Sequence, residues 1–157
     1  MADGFSVSID IDASSIDSVI NKFNEVINNE QFKLAVHNAL AKWCDPYVPM
    51  DEGVLSQSIE IMPDYVHYTQ PYAHYQYIGE VYGPNIPIIE NGVIVGWFSP
   101  PGKGSKHPTG RQISYNVEKH PLATDHWDKA MMRDRGDEFK KEIADLIIAF
   151  VGRLNDG

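Results

Sequence analysis

The chain reads as an α+β protein, a small antiparallel sheet packed against N-terminal and C-terminal amphipathic helices. Helical periodicity is concentrated towards the two ends, while alternating and β-branched runs occupy the middle. No segment repeats and none is of low complexity, which excludes a solenoid or a long linker. At 157 residues the chain fits one domain, 1–157, able to bury about two-thirds of its unfolded surface in a single core.

Phe5-Ser6-Val7-Ser8-Ile9-Asp10-Ile11-Asp12 alternates apolar and polar residues, the period of a half-buried strand. Ser14, Ser15 and Asp17 offer helix-start chemistry, and Ile16, Val19, Ile20, Phe23 and Ile27 then recur at helical spacing. Asn28-Asn29 interrupts that pattern. Phe32, Val36, Ala39, Leu40 and Trp43 predict a second amphipathic helix or a kinked continuation of the first.

The stretch 46–79 turns this helical half into a sheet half. Pro46 and Pro49 lack backbone donors and push the residues before them to extended geometry, so a helix ends near Cys44. Asp51-Glu52-Gly53 predicts a turn, with a carboxylate able to accept nearby backbone N–H groups and a glycine free to take positive φ. Leu55 and Ile59 lead back to the core. Residues 58–62 and 65–69 predict paired strands around Pro63-Asp64, and Tyr72, Tyr75 and Ile78 after Pro71 predict one or two helical turns.

Further on, residues 85–92 read as a loop and 93–98 as a buried strand ended by Pro100-Pro101-Gly102. Residues 99–111 hold Lys103, Lys106 and Arg111 and no acid, and predict an exposed loop. A strand over 112–117 follows. Two helices are expected after it, over 125–132 and over 137–154. The second carries Phe139, Ile143, Leu146, Ile147, Phe150, Val151 and Leu154 on one stripe, with Asp137 and Glu138 at its positive end.

Bulk charge narrows the function. A net charge of −9 opposes sequence-independent nucleic-acid binding, which needs a basic face. Cys44 is the only cysteine, so neither an intrachain disulfide nor a cysteine zinc cluster forms, consistent with folding in a reducing cytoplasm. The acidic N-terminus lacks the basic start and apolar run of a signal peptide, and the apolar stretches near Ile88 and Ile147 are too short or too interrupted for a bilayer.

Catalytic chemistry finds little support. Ser56, Ser58 and Ser99 lack a nucleophile-elbow setting, and Cys44 sits beside Asp45, which raises a thiol pKa. Gly102-Lys103-Gly104-Ser105-Lys106 is only a fragment of a phosphate loop, and no cofactor motif is present. His67, His74, His107, His120 and His126 follow no metal-ligand spacing, so a small metal-dependent hydrolase built on them is an alternative that requires the fold to bring them together. A second alternative is a DNA-contacting module using Lys103, Lys106 and Arg111.

Two motif blocks point elsewhere. Pro-x-Asp-x-Gly-x-Leu-x-x-Ser-Ile spans Pro49 to Ile59, and Tyr-Ala-x-Tyr-x-x-x-Gly spans Tyr72 to Gly79. Downstream come His107-Pro108-Thr109-Gly110-Arg111-Gln112-Ile113-Ser114-Tyr115 and His120-Pro121-Leu122-Ala123-Thr124-Asp125-His126-Trp127. In order and spacing these blocks resemble the minor capsid and head-tail joining proteins of long-tailed bacteriophages. The chain departs from that pattern at Glu80-Val81-Tyr82, where the joining proteins often have a shorter turn.

The resemblance implies a non-enzymatic virion protein of the neck, assembled in the host cytoplasm, with no cofactor, metal or membrane. It implies a homo-oligomeric ring for tail completion or head closure. The ring would dock to a portal, adaptor or head-closure protein on one side and a tail terminator on the other, with DNA passing through unread. Pro49, Asp51, Gly53, Tyr72, Gly79 and Trp127 are then structural turn residues. Lys103, Lys106 and Arg111 are candidate partner contacts, because a basic arm on an acidic chain suits an acidic neighbouring surface.

Overall fold

Asn29 divides the helical first half of the chain. Helix α1 (Ala13–Asn28) ends before it and α2 (Glu30–Cys44) begins after it, with the Asn29 side chain accepting the Phe32 N–H at 3.0 Å. Pro46 stops α2 as its missing donor requires, and Asp45–Tyr47 closes it with a single 3₁₀ turn. The computed structural model describes residues 13–51, 53–83, 86–98 and 106–155. The strand expected over 5–12 lies outside them.

Gly53 takes φ 84° immediately before α3 (Val54–Gln57). Strands β1 (Ile59–Ile61) and β2 (Val66–Tyr68) pair antiparallel with Ile59 opposite Tyr68, and Met62 N–H donates to the Tyr65 carbonyl across the Pro63-Asp64 turn. Helix α4 (Ala73–Ile78) is stopped by Gly79 at φ 79°, whose N–H returns to the Tyr75 carbonyl at 3.0 Å. The chain continues through β3 (Glu80–Gly83), β4 (Ile86–Glu90), β5 (Val93–Phe98), β6 (His107–Gln112) and α5 (Trp127–Asn155).

The class is α+β, as expected, with helices at both ends. Among the described residues the sheet is three separate antiparallel pairs, β1 with β2, β3 with β6 and β4 with β5. Four expectations need correction. Residues 86–90, read within a loop, form a strand. Residues 93–98 form a strand that is largely exposed rather than buried, because among the described residues β4 and β5 pack chiefly on each other.

The strand expected at 112–117 lies earlier, at His107–Gln112, where pairing with β3 holds the last residues of the expected loop. Lastly, the two C-terminal helices are one, 29 residues long. Gly136 is buried in its middle and costs helix propensity of about 1 kcal/mol relative to alanine, less than restarting a helix after a break.

Helices α2 and α5 run antiparallel. Phe32 near the start of α2 meets Phe150 near the end of α5 edge-on at 5.4 Å, while Lys42 and Trp43 at the end of α2 both donate to Glu142. The buried core gathers Cys44, Tyr47, Val48, Leu55, Ala73, Trp127, Ala130 and Met131, so it lies where the end of α2 meets the start of α5. Helix α1 adds Val26 at its C-terminal end, but Ile16, Val19, Ile20 and Phe23 remain exposed.

Two outcomes follow from this packing. A Cβ on Gly79 would lie 2.7 Å from Asp125 Cβ, whereas one on Gly92, also at φ 79°, meets nothing within 4 Å. Gly79→Ala is expected to cost at least ~2 kcal/mol, and Gly92→Ala about 1 kcal/mol. Urea unfolding of the two variants side by side checks this, and equal shifts contradict it.

Glu142 is held below the usual carboxylate range by its hydrogen bond from Lys42 and then by that from Trp43. A lowered folded pKa adds stability above the unfolded value and loses it as pH falls through the folded value. Glu142→Gln should therefore destabilise by about 1 kcal/mol at pH 7. That deficit should shrink in acid melts below about pH 4, where the wild-type carboxylate takes up its proton.

Candidate assembly surface

The histidines do not converge. His67 on β2 faces Glu60 across the strand pair at 3.7 Å, His74 lies on α4 beside the Tyr75 ring, and His107 begins β6. His120 donates from Nδ1 to the Val48 carbonyl at 2.8 Å, with Nε2 3.8 Å from Asp45. His126 takes φ 40° and lays its ring 4.8 Å from Tyr77. Among the described residues no group of three or more His, Cys, Asp or Glu is placed to hold a metal ion. No helix among them is long and apolar enough to cross a membrane.

Cys44 is buried, and its thiol is pushed up to about 12, first by desolvation and then by the Asp128 carboxylate. It belongs to the packing. At pH 8 a thiol reagent is expected to label native protein at least ~100-fold more slowly than urea-unfolded protein. Comparable rates would place Cys44 at the surface.

The turn residues lie around the core. Pro49 is buried, and Tyr72 is the exposed residue that precedes α4. The Asp51 carboxylate accepts from the Asn116 side-chain amide at 3.0 Å and its carbonyl accepts from Lys119. It thus ties the turn to a distant segment, in contrast to the local backbone partners expected from sequence. Pro49, Asp51, Tyr72 and Tyr115 line one open cleft of about 330 Å³.

Trp127 joins the early and late motif blocks. Its ring meets Tyr68 edge-on at 5.1 Å and Tyr77 at 5.0 Å. The Tyr77 hydroxyl donates to Asp128 at 2.9 Å, and its carbonyl accepts the His126 N–H at the same distance.

Of the basic residues, Lys103 lies outside the described residues. Lys106 is exposed with Nζ 5.0 Å from the centre of the Tyr75 ring, and Arg111 is exposed on β6. Pairing with β3 brings an acid to this segment that the linear sequence lacks. Glu80 accepts the Gly110 N–H at 2.8 Å, one residue before Arg111.

The surface with the clearest unmet requirement is the β4–β5 hairpin. Asn91 at φ 51° and Gly92 at φ 79° form its two-residue turn, the combination that matches the twist of paired strands. Ile86 stands opposite Phe98 and Ile88 opposite Gly96, with a register shift before Ile89 opposite Ile94. Ile89 is 60% exposed, Val93 63% and Val95 55%, although Glu90 is the single charged residue from Ile86 to Phe98. A lone two-stranded ribbon is marginal in water, and its apolar side chains gain only when something covers them.

The model of a minor capsid protein family covers residues 7–145. No curated protein and no solved structure matches the chain.

Proposed function

The chain belongs to the minor capsid protein family of phages and is a structural component of the virion, and from that premise we propose that it works in the neck. There it is one of the identical subunits of a head-tail connector ring, acting in tail completion or head closure. The observation that carries the reading is the β4–β5 hairpin, whose apolar side chains stand exposed and which among the described residues packs chiefly on itself. A subunit with such a surface gains stability from assembly, and heterologous contacts between identical subunits close into rings.

In this reading the protein performs no catalysis. It contacts a portal, adaptor or head-closure protein on one side and a tail terminator on the other, and DNA passes through the lumen without being read. Lys106 and Arg111, with Lys103 before them, supply positive charge for contact with an acidic neighbouring surface. Docking through charge of this kind weakens with salt.

Cryo-electron microscopy of the virion tests the placement. The expected result is density for this fold in a ring between portal and tail, and density confined to the capsid shell would overturn the reading. Separately, Lys106→Glu combined with Arg111→Glu should leave far-UV circular dichroism unchanged and lower tail attachment in a complementation assay. Wild-type titre from the double variant would remove those two side chains from the docking surface.

A further inference from the structure

Resting on the ring reading above, we infer that neighbouring subunits join head to tail, the β4–β5 hairpin of one copy seated on the exposed stripe of α1 in the next. That stripe is Ile16, Val19, Ile20 and Phe23, spaced i, i+3, i+4 and i+7 on one helix face, with Val19 67% exposed. Among the described side chains of α1, the one buried fully is Val26, towards its end. Among the described residues the chain thus carries two apolar surfaces without cover. There α1 packs on α2 and α5, while β4 packs on β5, so neither surface covers the other.

Charge favours a second copy as the occupant. On a chain of net charge −9 most approaches between copies set carboxylates against carboxylates. The hairpin holds only Glu90 between Ile86 and Phe98, so it meets an identical acidic molecule with little like-charge repulsion.

The hairpin edges argue against a symmetric strand-to-strand contact. Pro87 lies in β4, and the register slips between Ile88 and Ile89, both devices that discourage edge pairing. What remains is the flat of the ribbon, where Ile89 and Ile94 stand as an exposed cross-strand pair. A ribbon face laid on an apolar helix stripe is the ordinary two-layer solution to burying both. Two different surfaces in contact make the joint heterologous, the kind that propagates until it closes.

Two double variants test the joint, Ile89→Glu with Ile94→Glu in the hairpin and Val19→Glu with Ile20→Glu in α1. All four side chains are exposed, and circular dichroism and urea melts confirm that each variant folds. Native mass spectrometry of wild type should show ring-sized oligomers, and each variant alone should be monomeric. Mixed in equal amounts they should form a one-to-one heterodimer that grows no further, because each retains the surface the other has lost. A mixture that stays monomeric would overturn the inference. Ring-sized oligomers from either variant alone would overturn it too, while leaving the ring reading standing. Wild type that is monomeric at every concentration would overturn both.

Discussion

The start of α5 governs the fold, and Tyr77 is the residue that sets it. Its carbonyl takes the His126 N–H, its hydroxyl holds Asp128, and its ring packs on Trp127, so one side chain and its backbone fix three consecutive residues. His126 can occupy φ 40°, a conformation costing about 1 kcal/mol or more, because these neighbours leave it no alternative. Burial first, and the hydrogen bond to Asp128 second, push the Tyr77 phenol up to about 12, so it remains a neutral donor at physiological pH. Two residues on, Gly79 admits Asp125 against its bare Cα, and the end of α4 closes onto the same junction.

Local chemistry made several elements readable from sequence. Asn29 as a boundary, Pro46 as a stop and Pro63-Asp64 as a turn each act through their own backbone restrictions, and no distant partner is needed to see them. The hairpin was half legible. Asn91-Gly92 between apolar runs is a strong hairpin signal, but Pro87 makes the first run read as loop. The apolar character of 93–98 was plain, yet hydropathy reports what avoids water and not which molecule excludes it.

Continuity of α5 and the placement of the candidate surface depended on tertiary structure. Arg133-Asp134-Arg135-Gly136 looks like a break between helices, but Arg135 lies 4.7 Å from the Trp43 ring and Gly136 is buried, so contacts with α2 carry the helix through. Similarly, residues 99–111 carry no acid along the chain. Pairing of β3 with β6 brings the Glu80 carboxylate to the Gly110 backbone N–H, an approach that strand register decides and composition cannot display.

The unbroken α5 gives the chain a mechanical character. Its 29 residues span about 43 Å at 1.5 Å per residue. One end is clamped among Tyr68, Tyr77 and Trp127, while the other lies against Phe32. A rod fixed in this way resists bending, so a push applied at its clamped end travels to the far end as displacement with little lost in compliance. The helix is a strut, and a tilt imposed on the core moves the distal surface as a lever arm moves its tip.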